Sequence, residues 1–225
     1  MHLKLLTSVT AQWDCPNSLL TPAAKQAIVA KHNELRETIV HGKALRKGDV
    51  PIPKAANMYA MKWDCDLEKQ SQEWVNRCVF QHSPESFRHA GENIFASSTT
   101  GSLGDLGKYG VTASEAWWSE LKRVTDDMIK IENNEVPFGG PIFGVAGHWT
   151  QMAWGETTKV GCGIQNCTRG TSGWKQVNVV CEYRNQGNFW SAPIYKIGDG
   201  CHQDSDCTSF QGSKCDTSTN LCLSP

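Results

Sequence analysis

The chain has 225 residues with a formal net charge of -1, 39% hydrophobic and 20% charged. That length allows one good-sized core, or one core with an appendage, and the composition is too apolar for a disordered chain. Near-neutral charge without a long Lys/Arg block excludes the basic footprint that nucleic-acid binding requires.

Taken in chain order, residues 1–20 read as an N-terminal segment outside the folded body. Met1 to Ala11 carries Lys4, the apolar Leu3, Leu5 and Leu6, and a Val9-Thr10-Ala11 ending that loosely suits signal cleavage, so it is expected to be a clipped signal or a remnant of expression. No other stretch approaches the roughly 20 apolar residues that span a bilayer, so no membrane span is expected. Thr21 to Val40 reads as a helix: Thr21 can cap, Pro22 suits the first position, Gly42 can close the end, and Ile28, Leu35 and Ile39 supply the inward stripe. A second helix is predicted from Asp66, with Leu67, Trp74, Val75 and Cys78 at helical spacing. Thr112-Ala113-Ser114-Glu115 has the form of a capping box, followed by Trp117, Leu121, Val124, Met128 and Ile131, so a third helix is predicted from Thr112. Glu120 borders that stripe. Gly101 to Gly110 and Asn133 to Gly147 read as long surface loops. Val177, Val179, Cys181 and Tyr183 alternate with Asn178, Val180 and Glu182 as in a strand, and Lys159 to Ile164 is its expected hairpin partner.

The cysteines set the compartment. Cys15, Cys65, Cys78, Cys162, Cys167, Cys181, Cys201, Cys207, Cys215 and Cys222 are even in number and contain no Cys-x-x-Cys knuckle, so disulfides and secretion are the reading. Asn166-Cys167-Thr168 is an N-x-T sequon, although its central Cys makes Asn166 a poor acceptor. From Gly198 onward the chain is small and polar, with little to bury, so Cys201, Cys207, Cys215 and Cys222 are expected to hold it by two disulfides, with three pairings open.

Four short motifs occur in order: His32-Asn33-Glu34-Leu35-Arg36, Gly91-Glu92-Asn93-Ile94, Gly147-His148-Trp149-Thr150-Gln151-Met152-Ala153-Trp154, and Val177-Asn178-Val179-Val180-Cys181-Glu182-Tyr183 through Gly187-Asn188. Together they resemble the CAP superfamily of cysteine-rich secretory, antigen 5 and pathogenesis-related proteins, over about Thr21 to Tyr195. One departure is Asn185, where many members have Pro. The resemblance implies an α+β fold, a three-layer α-β-α sandwich over 21–195, with 196–225 as a small disulfide-rich C-terminal hinge. The run Cys201 to Cys207 is most similar to the tail of nematode activation-associated secreted proteins.

The family carries a cleft with two His and two Glu, and the resemblance places these at His82, Glu92, Glu120 and His148. His82 and His148 are the expected ligands of a divalent metal, with zinc the natural candidate, weakly bound and not needed for folding; Glu92 and Glu120 are their cleft partners. A structural ion-pair cluster is the competing reading. His32 and Arg36 read as helix-packing and polar-surface residues, His89 is assigned nothing, and Ser83 beside His82 has no oriented Asp to complete a triad. Trp117, Trp118, Trp149 and Trp154 are expected to pack around the four. No catalytic residue is assigned. The resemblance implies an extracellular, non-enzymatic effector of host interaction or immune modulation that binds an unidentified host protein or receptor, with a homodimer allowed for. Two alternatives remain open: lipid or sterol transport, with Val136, Pro137, Phe138, Ile142, Phe143 and Val145 lining a groove, and a metal-dependent hydrolase using the four cleft residues.

Overall fold

The computed structural model describes residues 11–170 and 173–225. The signal-like reading of 1–10 lies outside the described residues. Helix α1, Pro22–Val40, begins where its cap directs: the Thr21 hydroxyl accepts the Ala24 N–H at 3.2 Å, and Pro22 needs no donor partner at the first position. Gly42, at a φ of +68°, closes it. Ile28 and Ile39 are fully buried on its inner face.

Four two-residue strands follow: β1 (Leu45–Arg46), β2 (Val50–Pro51), β3 (Ala55–Ala56) and β4 (Lys62–Trp63). Helix α2, Cys65–Val75, is capped by the Asp64 carboxylate, which accepts the N–H groups of Asp66 at 3.1 Å and Leu67 at 3.0 Å. It ends before Cys78, which the sequence had placed on it; Cys78 takes a φ of +53° in the turn beyond. The single-turn α3 (Glu85–Arg88) leads to the long strand β5 (Gly91–Thr99).

The third long helix, α4, occupies Lys108–Trp118, starting earlier and stopping sooner than its apparent capping box implied. The reason is local. Thr112 and Ser114 turn their hydroxyls back to the carbonyls of Lys108 at 3.3 Å and Gly110 at 2.8 Å, an arrangement available only inside a helix. Beyond Trp118 the chain tightens into 3₁₀ turns at Ser119–Arg123 and Asp126–Met128; Leu121 and Val124 stay buried, whereas Ile131 is exposed. The supposed loop at 133–147 is also corrected, because it holds strand β6 (Glu135–Pro137) and most of the first half of helix α5 (Pro141–Ala153). Val136, Phe138 and Ile142 are buried, and that burial overrides the Gly and Pro punctuation.

Strands β7 (Lys159–Asn166) and β8 (Lys175–Arg184) form the expected antiparallel pair. The main sheet runs β4-β7-β8-β5, with only the β4–β7 pair parallel. Its two faces can be read from adjacent residues on β7. A side chain at Gly163 would strike α2 at Gln72, whereas Ile164, one residue on, reaches the Gly110 position of α4, where α1 also packs through Ile28. Helices therefore cover both faces, which is the α-β-α sandwich. Central β8 is buried on both sides from Val177 to Tyr183, so the polar members of its alternation, Asn178 and Glu182, are interior too.

All ten cysteines are paired: Cys15–Cys65, Cys78–Cys167, Cys162–Cys181, Cys201–Cys215 and Cys207–Cys222. The last two choose among the three open tail pairings. Strand β9 (Pro193–Ile197) joins β3 and β6 in a second sheet, and the tail beyond it forms the hairpin of β10 (Lys214–Asp216) and β11 (Leu221–Leu223). The tail has its own apolar anchor, supplied by the body. Fully buried Tyr59 sits edge-on to Phe210 at 4.9 Å among Cys201, Cys207 and Cys222, and its hydroxyl accepts the N–H groups of Ser209 at 3.1 Å and Phe210 at 3.3 Å. Backbone bonds Ala60 N to Cys222 O at 2.7 Å and Cys222 N to Met58 O at 2.8 Å complete the junction.

Candidate metal centre: a cleft with two carboxylate-bound histidines

His82, Glu92, Glu120 and His148 come from four separate segments and line one cleft of about 620 Å³. They form two matched pairs. Glu92, at the start of β5, accepts His82 Nδ1–H at 2.7 Å through Oε1, and the same carboxylate takes the Ser83 N–H at 2.9 Å and the Ser83 hydroxyl at 2.6 Å. Glu120, in the 3₁₀ turn after α4, accepts His148 Nδ1–H at 2.8 Å.

The second pair explains itself through the backbone. Helix α5 is interrupted at Ala146, with φ -143° and ψ 39°, so the turn beginning at Gly147 presents free N–H groups. Glu120 Oε2 accepts two of them, from His148 at 3.0 Å and Trp149 at 3.2 Å. A carboxylate at the positive end of a helical segment is favoured there, and its position aims its other oxygen at the ring it must hold. Arg123 adds a cation 3.3 Å from Glu120 Oε1. The Trp117 ring stacks over His148 with centroids 6.1 Å apart.

Both rings share one consequence. A carboxylate only accepts, so each Nδ1 carries a proton, and in the neutral ring it is Nε2 that keeps the bare lone pair. Neither Nε2 has a hydrogen-bond partner among the described residues. This is the tautomer that binds a divalent transition metal, with the carboxylate behind it orienting the ring. The donor chemistry therefore fits zinc. Among the described residues, the only clusters of three ligand-type atoms lie elsewhere and contain disulfide sulfurs, so the cleft itself offers two imidazoles with carboxylates behind them.

Other expected residues fall as follows. His32 and Arg36 are fully buried, so they pack the helix as expected but do not lie on a polar surface. His32 Nδ1 donates to Ile28 O at 2.8 Å, and Arg36 donates to four backbone carbonyls. Ser83 gives its proton to Glu92, so it makes no Ser/His pair with His82. His89 closes α3 in a left-handed conformation and does not line the cleft. Of the groove residues, Val136, Phe138 and Ile142 are core; Phe143 and Val145 do line the cleft, and Phe143 is exposed beside Trp190. Trp149, Trp117, Trp118 and Trp154 are all buried, and Trp118 meets Trp149 edge-on at 6.3 Å. Asn166 is exposed at the end of β7, beside the Cys78–Cys167 bond. Asn93 and Tyr183 join the site from behind without having been singled out in the sequence, although both lie inside motifs.

Glu182 adds an unexpected buried carboxyl group. It stands opposite Glu92 in the β5–β8 register, is fully buried, and neither carboxyl oxygen has a partner among the described residues. Burial, with Glu92 nearby, pushes its pKa up from 4.5 to about 8. The folded protein therefore holds a proton that the unfolded chain releases between those values, and stability falls as pH rises through that window, by at most about 1.4 kcal/mol per pH unit from this group. Glu182→Gln should flatten the slope. Urea midpoints at a series of pH values from 5 to 8 check it; parallel curves for the two proteins would contradict the assignment.

A family model described as "CAP: Cysteine-rich secretory protein family" matches residues 29–183. Venom allergen 3 of Solenopsis invicta is 36% identical over 79% of this chain and 74% of its own length. Ancylostoma secreted protein of Ancylostoma caninum is 33% identical over 94% of this chain, which spans only 47% of that protein. Among solved structures, BmVAL-1 matches at 34% identity with a TM-score of 0.82, covering 94% of this chain and 99% of that one. A crystal structure of NaASP2 with Zn2+ matches at 34% identity and a TM-score of 0.74, covering 93% and 100%.

Proposed function

The chain belongs to the CAP, or cysteine-rich secretory protein, family, and from that premise we propose that it is a secreted, non-enzymatic effector that binds an extracellular host protein and carries a divalent-metal site at His82 and His148. Secretion is supported by the complete pairing of ten cysteines, which persists only in an oxidising compartment, and by relatives that include a venom allergen and a hookworm secreted protein. No described helix is long and apolar enough to cross a membrane. The observation that carries the metal reading is the pair of Nδ1–carboxylate bonds, which leaves two basic Nε2 atoms on one cleft. A bound zinc ion would supply a fixed positive charge and open coordination positions for a partner's side chain or for water. Glu92 and Glu120 would hold the rings in register for it. NaASP2, whose structure was solved with Zn2+, is a relative in the same fold.

Calorimetric titration with ZnCl2 tests this. Wild-type protein should bind zinc; His82→Ala and His148→Ala should each weaken binding at least tenfold, and the double variant should abolish it with the fold retained. Unchanged binding in the double variant would remove the site from the cleft. Pull-down from host fluid tests the partner, and metal-dependent turnover of a substrate by the purified protein would overturn the non-enzymatic reading. Lipid carriage is the second reading, favoured by exposed Phe143 and Phe189 on the cleft and by exposed Trp190 6.2 Å from Phe143. Native mass spectrometry would show a co-purifying lipid.

A further inference from the structure

A buried chain of hydrogen bonds runs from α1 across the core to the backbone of His148, and the direction of every link is determined. Ile28 O can only accept, so His32 Nδ1, 2.8 Å away, carries the ring proton. His32 has no exposed surface and no acidic partner, and burial drops its pKa to about 4, so the ring is neutral and Nε2 is bare. The Tyr183 hydroxyl, 3.0 Å from Nε2, must therefore be the donor. With its proton committed, the Tyr183 oxygen accepts from Asn93 Nδ2 at 3.3 Å. The same amide nitrogen gives its other hydrogen to the carbonyl of His148 at 3.1 Å. A flipped Asn93 amide would set its oxygen against two acceptors, so the orientation is forced as well.

His148 is thus held from two sides. Glu120 takes its N–H and its ring Nδ1, and Asn93 takes its carbonyl. Among its hydrogen bonds, the Tyr183 hydroxyl reaches the cleft only through Asn93. It also lies on β8, the strand buried on both faces, which fixes it in the core.

We infer that Tyr183 is a positioning residue for the cleft, setting the placement of the His148 imidazole from across the core through Asn93 while His32 fixes the direction of the Tyr183 hydroxyl. The inference rests on the reading of His148 as a metal ligand only for its effect on affinity; the placement of the ring is a property of the metal-free protein.

The experiment compares Tyr183→Phe with Tyr195→Phe. Tyr195 is equally buried and its hydroxyl donates to Pro53 O at 3.0 Å, so the control also loses one interior hydroxyl bond, but one with no connection to His148. Two readouts are taken on full-length protein: the 15N chemical shifts of the His148 ring nitrogens without metal, and zinc affinity by calorimetry. Tyr183→Phe should shift the His148 ring signals and lower zinc affinity about tenfold, as expected for loss of an outer contact to a ligand, while Tyr195→Phe changes neither. Should Tyr183→Phe fail to fold, Asn93→Ala breaks the chain one link nearer the cleft and must give the same two changes. Wild-type ring signals in the Tyr183 variant, or equal shifts in both Tyr variants, would overturn the assignment. Absence of zinc binding in the wild type would sink the metal reading alone, since the ring signals still decide the positioning.

Discussion

Replacing Arg36 with Met should destabilise the protein by about 4 kcal/mol or more, enough to leave much of it unfolded during expression. Arg36 has no exposed surface and no carboxylate partner. Its guanidinium donates to Tyr59 O at 2.8 Å, Met152 O at 2.7 Å, Gly155 O at 2.9 Å and Thr157 O at 3.3 Å. Burial pulls its pKa down to about 9, so it remains charged at neutral pH. The cost of placing that charge in the interior is offset by four carbonyl dipoles, of which Gly155 O also accepts the Tyr59 N–H at 3.0 Å and the other three depend on Arg36. Met fills comparable space and supplies none of them, and each orphaned carbonyl costs roughly 1–3 kcal/mol. Lys keeps the charge but lacks the planar fork, so Arg36→Lys should recover only part of the loss. Guanidinium-chloride unfolding of the three proteins orders them. A Met variant within about 1 kcal/mol of wild type would show that water takes over the carbonyls. Because Tyr59 also plugs the tail, hydrogen exchange should rise at residues 58–60 and in the tail before it does so in β8.

The second large effect is expected at Gly163. A Cβ there would lie 2.4 Å from the backbone N of Gln72 and 2.5 Å from its Cα, and one at Gly161 would lie 2.2 Å from the backbone N of Glu68. These are helix backbone atoms and cannot rotate away. Gly163→Ala must push α2 off the sheet, disturbing the bond the Ser71 hydroxyl donates to Gly161 O and the bond the Ile164 N–H donates to Gln72 Oε1. It would also loosen α2 where Glu68, buried with Lys25 3.1 Å away, binds the Trp63 indole. Overpacking of this kind costs about 3 kcal/mol, which corresponds to a fall of roughly 6–12 °C in Tm for a chain of this size. Differential scanning calorimetry reads it directly, and an unchanged Tm would mean that the helix–strand spacing is softer than the contacts imply.

Legibility varied with the range of the interactions involved. The start of α1 could be read because Thr21, Pro22 and the Ala24 N–H are neighbours in the chain. The β7–β8 pairing could be read because period-two alternation and a short connection are local too. Reading Thr112-Ala113-Ser114-Glu115 as a cap failed for the converse reason. The same hydroxyls can cap a helix or bond back to the carbonyl four residues earlier, and the helix was already running from Lys108. The segment 133–147 looked like a loop because Gly and Pro outweigh apolar residues locally, whereas Val136, Phe138 and Ile142 are decided by what covers them. Arg36 and His32 could be read as helix-packing but not as fully interior, because a helix alone does not show which carbonyls will surround it.

The sequence by itself determined that the cysteines would pair, the family and the four cleft residues, since cysteine parity and short motifs are properties of residue type and order. Only the tertiary structure decided the disulfide partners in the tail, the pairing of each imidazole with its own carboxylate, the interruption at Ala146 that lets Glu120 bind both helix and ring, and the buried proton on Glu182. These depend on distances between segments tens of residues apart and on how far each group is removed from water, and neither quantity is encoded in any local stretch of chain.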